Sequence, residues 1–335
     1  MLGRTASPEA ARETTRPMSP ENPRVAFAVP VYNGEAYLAE ALEALQSQTE
    51  TRWVAFVTDN ASTDSTPDIV QAMASGDPRV RYVRNATNLG ANGNFNRSAE
   101  LALASGAPFV KWAAHDDRPH PGYLAACLEA LDAAPQAVGA HTAIRLVDGE
   151  GEPYPYSHAS GGFVASPTDV WAWTPEAVRT LSAPAPAGRF GSFLRIKAGE
   201  WMIFGLLRAS ALAATKPFAL PGVEDALCAE LLLRGPMLYV DETLFDHRLH
   251  GGSARHMSRA DYLEYESGSE HSAPVLPSIG RAADFVTAIR RVPLAPRQRL
   301  GALATLAHFA LGVGRLKNLV VPGPNNYLGL DFRRC

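Results

Sequence analysis

The chain has 335 residues, of which 46% are hydrophobic, and its 31 Lys and Arg against 34 Asp and Glu leave a net charge of −3 and a pI near 6.3. That length suits one α/β domain with a C-terminal addition, and the balanced charge, with no long basic face, offers nothing to gather nucleic acid. Cys127, Cys228 and Cys335 are too few and too scattered for a disulfide framework or a zinc site, so a reducing cytoplasm is the expected compartment.

Residues 1–23, rich in Pro, Ser, Thr, Glu and Arg and without the apolar centre of a signal peptide, are expected to form a disordered leader. Order is predicted to begin with the apolar strand Val25–Val31, which ends at the turn Tyr32-Asn33-Gly34. A helix follows, with Tyr37, Leu38, Ala41, Leu42 and Leu45 at helical spacing. A second strand, Trp53–Thr58, runs into Asp59-Asn60-Ala61-Ser62-Thr63-Asp64, and Pro67 opens the next helix. A third strand, Val80–Arg84, precedes Asn88-Leu89-Gly90. A helix from about Asn94 to Ala104 then leads to a fourth strand, Phe109–Ala113, which stops at His115-Asp116-Asp117. This alternation predicts a parallel sheet with helices on both faces, and ligands of such sheets bind beyond the carboxyl ends of the strands. The polar clusters fall at those ends.

Further on, a helix over Pro121–Ala133 and a strand over Ala137–Val147 are expected. From Gly149 to Gly199 the texture turns irregular, with a helical patch near Pro175–Leu181 and Trp171 and Trp173 as packing residues or platforms for a ligand ring. Regular pattern returns at Trp201–Leu207, in a helix around Val223–Leu233, and in a strand over Met237–Asp241. Helices are expected from about Asp261. The apolar stretch Leu300–Gly314, interrupted by His308, is shorter than the roughly 20 residues of a membrane span. Its apolar face, with Leu303, Leu306, Phe309, Leu311 and Val313, suits core packing, a homodimer contact or a peripheral membrane contact.

Four constellations could carry chemistry. Asp116-Asp117 is an adjacent carboxylate pair that needs a cation or donors to offset its repulsion, and such oxygens suit Mg²⁺ or Mn²⁺. Taken alone, the pair reads as a solvated turn before Pro119. Asp59 could accept a hydrogen bond from a base ring N–H, or simply cap the following helix. Glu224-Asp225, at the start of a helix, could complement its dipole or supply a general base. In His247-Arg248-Leu249-His250, alternation would place Arg248 and His250 on one face, a cation for phosphate beside an imidazole for a metal.

In this order the pieces resemble the inverting family-2 glycosyltransferases. The matching text is Val29-Pro30-Val31-Tyr32-Asn33, Asp59-Asn60-Ala61-Ser62-Thr63-Asp64, Asn88-Leu89-Gly90 and Lys111-Trp112 through Asp116-Asp117. It continues with Gly205-Leu206-Leu207-Arg208, Glu224-Asp225 and Arg248-Leu249-His250. The resemblance implies a GT-A fold: a Rossmann-like, mostly parallel central sheet flanked by helices. A catalytic domain over 24–255 would divide into a nucleotide-binding half (24–118) and an acceptor-binding half (119–255), and a C-terminal helical extension would cover 256–335. It also implies roles. Asp59 would contact the nucleobase, with Pro30, Tyr32, Asn33 and Asn88 around the nucleoside. Asp116 would lie near the donor ribose or sugar, and Asp117, with His250, would hold Mn²⁺ or Mg²⁺ at the diphosphate beside Arg248. Asp225 would be the catalytic base with Glu224 its neighbour, and Gly205 and Trp201 would border the acceptor. His115 stands where such motifs often carry an acid.

The implied reaction is metal-assisted single displacement from a nucleotide-diphosphate sugar, UDP or dTDP ahead of GDP, onto a hydroxyl of a sugar or natural product, in a cytoplasmic enzyme that is soluble or peripheral at the membrane. Two rivals stand beside it. A sugar nucleotidyltransferase would usually show a Gly-rich loop with a basic residue after the first strand, which Tyr32-Asn33-Gly34-Glu35 lacks. A degenerate nucleotide-sugar-binding scaffold would be expected to have lost one of Asp59, Asp116, Asp117 or Asp225, and all four are present.

Overall fold

The computed structural model describes residues 22–166, 169–196, 202–215, 224–252, 265 and 277–311. The expected leader lies almost wholly outside these residues, as do Trp201 and Val313.

Eight strands form the central sheet in the order β3-β2-β1-β4-β10-β6-β11-β5. They are β1 (Val25–Val31), β2 (Trp53–Asp59), β3 (Val80–Arg84), β4 (Phe109–Trp112), β5 (Arg118–Pro119), β6 (Gly139–Val147), β10 (Leu206–Arg208) and β11 (Met237–Arg248). β1 pairs in parallel with β2 and β4, β2 with β3, and β6 with β11. Only β10 and β5 run against their neighbours, so the other six strands point one way. The sheet is mostly parallel, as expected.

β1 and β2 are buried at every position, which is why they read as continuous apolar runs without alternation. Helices α1 (Leu38–Gln46), α2 (Thr66–Gly76), α3 (Gly90–Ala104) and α4 (Tyr123–Ala133) cover the sheet. Leu38, Leu42 and Leu45 of α1 and Leu124, Leu128 and Leu131 of α4 are the inward faces that the helical spacing marks. Pro30 sits in a central strand without breaking it. The β1–β4 ladder ends at Ala28 and Trp112, so the missing N–H falls where β4 has already turned away. Beyond that point a crevice opens between the two strands, where the chain order switches sides about β1.

The irregular stretch after Gly149 holds more structure than its composition suggests. A three-stranded sheet is built from β7 (Tyr156–Ser157), β8 (Gly162–Ser166) and β9 (Asp169–Ala172). It is followed by α5 (Pro175–Arg179) and α6 (Pro186–Arg195). Trp173 is buried against Phe163 and Tyr239, with ring centroids 6.2 and 6.1 Å away, so of its two expected uses it serves packing. The short helix α7 (Ala209–Ala213) follows β10, and α8 (Glu224–Arg234) precedes β11. β11 runs seven residues beyond the expected end at Asp241. Register shifts around Thr243 let it stay paired with β6 through Val147 despite the charged run Asp241-Glu242. Helices α9 (Pro277–Arg291) and α10 (Pro296–Leu311) form a C-terminal pair that packs on α8 and α6.

Candidate functional site

Because six strands share a direction, the ends of β1, β2, β3, β4, β6 and β11 bring their loops to one edge. The loop after β1 is folded onto the loop after β2. Asn33, at φ 49°, donates its N–H to the Ser62 hydroxyl at 3.0 Å and accepts from Thr63 N–H at 2.9 Å. Gly34 presses on His115: a β-carbon there would lie 2.9 Å from the imidazole and 2.6 Å from Val31. Only glycine permits this approach of the β1 and β4 loops.

Asp59 is fully buried. It accepts from Ser62 N–H at 2.8 Å, from the Tyr82 hydroxyl at 2.6 Å and from the Arg84 guanidinium, which also donates to the Ser62 carbonyl at 2.8 Å. Burial pushes this carboxyl up, but the Ser62 and Tyr82 hydrogen bonds and the Arg84 charge outweigh it and hold it below the usual carboxylate range. Next to it runs a chain of side-chain amides. Asn60 donates to Asn88 at 2.7 Å and accepts from Asn85 at 3.1 Å, while Asn94 ties the ends of β1 and β2 by donating to the Val31 and Thr58 carbonyls. Asn88 therefore holds the loop after β3, and Tyr32, Asn33 and Asn88 are exposed at this edge of the sheet.

The carboxylate pair sits on a braced loop. Asp117 is buried; its Oδ1 accepts Arg248 N–H at 3.0 Å and lies 2.9 Å from His247 Nδ1, while its Oδ2 is buried without a hydrogen-bond partner. Asp116 is partly exposed and faces His250 Nε2 at 3.1 Å. Burial would raise the Asp116 carboxyl, but the His250 hydrogen bond and the charges of His115, His247 and His250 bring it down to about 2. The Asp116 carboxylate is thus disposed to stay ionised and to meet a cation. The expected pairing of Arg248 and His250 on one face holds. Arg248 Nε donates to the Asp116 carbonyl at 3.0 Å, and the Tyr37 ring lies 4.7 Å from both the guanidinium carbon and the His250 ring centroid.

Arg248 differs in one respect from a free phosphate cation. Its side chain is 2% exposed, and its nitrogens are engaged by the Asp116 carbonyl, the Gly149 carbonyl at 2.7 Å and the Glu40 carboxylate. It braces the carboxylate loop from behind. Glu40 also receives Arg118, which shares Asp246 with Arg145 and His120 at 2.8–3.0 Å. The hydrogen bonds and charges from Arg145 and His120 more than offset burial and keep Asp246 below its ordinary value. One ionic lattice therefore joins α1, β5, β6 and β11 under the site. Lys111, fully buried on β4, donates to the Phe204 carbonyl with its ammonium 4.6 Å from the Tyr123 ring, and burial brings its pKa down to about 8.

The remaining expected residues lie on other elements, at the start of β10 and in α8. Gly205 is buried where β10 begins; a β-carbon there would meet the Ala140 carbonyl oxygen at 2.9 Å, so close backbone packing alone demands glycine. Asp225 lies partly buried in the first turn of α8, beside Glu224, and the residues leading into that turn are outside the described ones. Sequence reasoning missed Arg84, Tyr82, Glu40 and Asp246. Arg84 could have been found by the strand-end rule that found Asp59. Glu40 and Asp246 carry no such signal, since an acid on an amphipathic helix or a strand usually faces water.

The Glycosyl transferase family 2 profile matches residues 26–182. The match takes in just under half of the chain, and over it the protein resembles the family-2 glycosyltransferases. Over 108 residues it is 32% identical to the GalNAc(5)-diNAcBac-PP-undecaprenol β-1,3-glucosyltransferase of Campylobacter jejuni, covering 32% of this chain and 34% of that protein. Over 129 residues it is 33% identical to the succinoglycan biosynthesis protein ExoO of Rhizobium meliloti, covering 38% and 34%. A putative glycosyltransferase, EpsH of Bacillus subtilis, is 31% identical over 103 residues, 31% of this chain and 29% of that one. The matched stretch thus spans about a third of these relatives. In three dimensions the chain resembles TarS 1–349 of S. aureus, solved with UDP-GlcNAc, at a TM-score of 0.57 and 18% identity over 88% of this chain and 74% of that one. The fold is accordingly GT-A.

A divalent metal fits the residues present. Among the described residues no three His, Cys, Asp or Glu side chains form a preassembled cage. The unpartnered, buried Oδ2 of Asp117, however, is an oxygen donor of the kind Mg²⁺ or Mn²⁺ takes alongside substrate phosphates.

Proposed function

We propose that this protein transfers a sugar from a nucleotide-diphosphate donor to an acceptor hydroxyl, with inversion, during assembly of a surface glycan. The observation that carries the reading is the arrival at one sheet edge of Asp59 and the Asp116–Asp117 pair, the latter with a carboxylate oxygen buried and unpartnered. The nucleoside lies between Tyr32 and Asn33 on one side and Asp59, Arg84 and Asn88 on the other. Uridine or thymidine is favoured over guanosine, because a small pyrimidine suits a wall already closed by Arg84 over Asp59. The UDP-GlcNAc of the TarS complex accords with that choice.

Asp117 would hold Mn²⁺ or Mg²⁺, with Asp116 toward the donor sugar and His250 keeping Asp116 oriented. The cation would neutralise charge gathering on the β-phosphate. Asp225 takes the proton of the acceptor hydroxyl as its oxygen bonds to the anomeric carbon. The bond from that carbon to the phosphate oxygen breaks, and its electron pair leaves with the nucleoside diphosphate. A single displacement inverts the anomeric centre. Glu224 would assist from the adjoining position, and Gly205 would border the acceptor. A glycan acceptor is preferred to a natural product because the relatives are named for polyprenol-linked glycan and succinoglycan assembly.

The test is release of nucleoside diphosphate from a panel of UDP-, dTDP- and GDP-sugars with glycan acceptors, with the product's anomeric configuration read by NMR. Asp225→Asn should lower kcat by roughly 10²–10⁴-fold, the contribution typical of a general base, with donor affinity unchanged. Retention at the anomeric carbon, or an Asp225→Asn enzyme of normal kcat, would defeat the mechanism.

A further inference from the structure

α10 is apolar on both sides, yet only one side is packed. Ala302, Leu306 and Phe309 are buried, and the helix rests on α6 and α9. Opposite them Leu300, Leu303, Ala304, Ala307 and Leu311 recur at spacings of three and four residues and are exposed, Leu300 by 69% and Leu311 by 65%. A helix that is hydrophobic all round is ordinarily buried all round, so this stripe calls for a cover.

The charges around the stripe say what kind. Between Phe285 and Leu311 the sequence contains no Asp or Glu, but it contains Arg290, Arg291, Arg297 and Arg299. Arg290, Arg291 and Arg297 are exposed at the corner between α9 and α10. Beside that corner opens a groove of about 380 Å³ with no acidic residue in its lining, into which Arg208 and Arg234 look across Val292, Leu294 and Gln298. Arg234 donates from a terminal nitrogen to Glu230 at 2.8 Å and to the Ala214 carbonyl at 2.6 Å, while its Nε is buried there without a hydrogen-bond partner. The acid on this face, Glu230, is buried and already paired with Arg234 at 2.8 Å and Arg291 at 3.4 Å, so a second copy of the chain would bring a second set of cations with no free acid from Glu230 to meet them.

We propose that α10 and the α9–α10 corner form a docking surface for an anionic phospholipid membrane, with the leucine stripe entering the acyl boundary and the arginines at the headgroup phosphates. The arrangement is that of an interfacial amphipathic helix, in which apolar burial and attraction to anionic lipid add. This inference does not rest on the transferase reading, since membrane binding and donor binding are read separately.

The test is sedimentation of the full chain with vesicles of phosphatidylcholine, with and without phosphatidylglycerol. Binding should require the anionic lipid and weaken as salt rises from about 0.1 M to about 0.5 M, where screening shortens. Leu300→Ser with Leu311→Ser, and separately Arg297→Gln with Arg299→Gln, should each lower partitioning about tenfold or more. Circular dichroism and calorimetric nucleotide binding should be unchanged, because the leucines lie outside the core. Absence of binding to anionic vesicles by the folded wild type would overturn the proposal. So would a concentration-dependent dimer abolished by Leu300→Ser, which would assign the stripe to a second copy.

Discussion

Arg248→Ala offers a sharp test of how the carboxylate pair is held. The substitution removes donors to the Asp116 and Gly149 carbonyls at 3.0 and 2.7 Å and to Glu40, from a side chain only 2% exposed. Hydrogen bonds from a charged group to buried carbonyls contribute about 1.5 kcal/mol or more each. The Glu40 pair adds no more than about 1 kcal/mol, because that carboxylate is 43% exposed and screened. A loss of about 3–4 kcal/mol is expected, measurable by urea unfolding followed by tryptophan fluorescence. Nucleoside diphosphate affinity should fall with it, since the Asp116 carbonyl loses its anchor. Arg248→Lys should resemble Arg248→Ala, because one ammonium cannot span three acceptors that a planar fork reaches. If Arg248→Lys instead keeps full affinity and stability, Arg248 acts as a simple cation toward phosphate and the bracing account is wrong.

Four further outcomes follow from contacts of three residues. Asp59→Asn should weaken nucleotide binding at least tenfold, read by calorimetry, because a neutral amide cannot hold Ser62, Tyr82 and Arg84 together (on the order of 1.4 kcal/mol). The folded-state pKa of Asp59 is depressed, so its stabilisation is present above its ordinary value of 3.8 and lost as pH falls through the folded value, a loss that acid titration of Asp59→Asn should lack. His141 is buried against Tyr239, and burial lowers its pKa from 6.5 to about 4, the Thr142 carbonyl opposing and Lys111 adding to the shift. The unfolded chain therefore binds a proton first, and stability should fall by about 3 kcal/mol as pH drops from 6.5 to 4, a slope that His141→Phe should flatten. Gly205→Ala should cost about 1–3 kcal/mol of stability, because its β-carbon meets backbone oxygens of Ala140 and Met202 at 2.9 and 3.2 Å that cannot swing aside. An unchanged thermal midpoint would show that the strand can shift.

Much of the nucleotide-binding half is legible in the sequence because burial on both faces makes β1 and β2 continuous apolar runs, and polar residues cluster only where those runs end. Asp59, Asp116 and Asp117 are found by that single break in pattern. The lattice beneath them is not, because Glu40, Arg118, Arg145 and Asp246 become partners only when strands far apart in sequence pair, as β11 does with β6 and β5. The strand β11 itself is underestimated for the same reason: the expected strand stops at Asp241, where its charged middle begins, and only a parallel neighbour and a bulge carry it on. Arg248 reads as a ligand cation because its class is right and its burial is invisible. Between Gly149 and Gly199 the Gly, Pro and Ser content hides three short strands whose pairing, centred on Phe163 and Trp173, is decided by aromatic packing.

The most direct test of the account is calorimetric titration of UDP, dTDP and GDP, each with and without Mn²⁺, into the wild type and Asp117→Ala. Binding of one uracil- or thymine-bearing diphosphate that needs both the cation and Asp117 is the predicted result. Equal binding by Asp117→Ala, or no binding of any of the three by the folded wild type, would contradict a donor site built on the carboxylate pair.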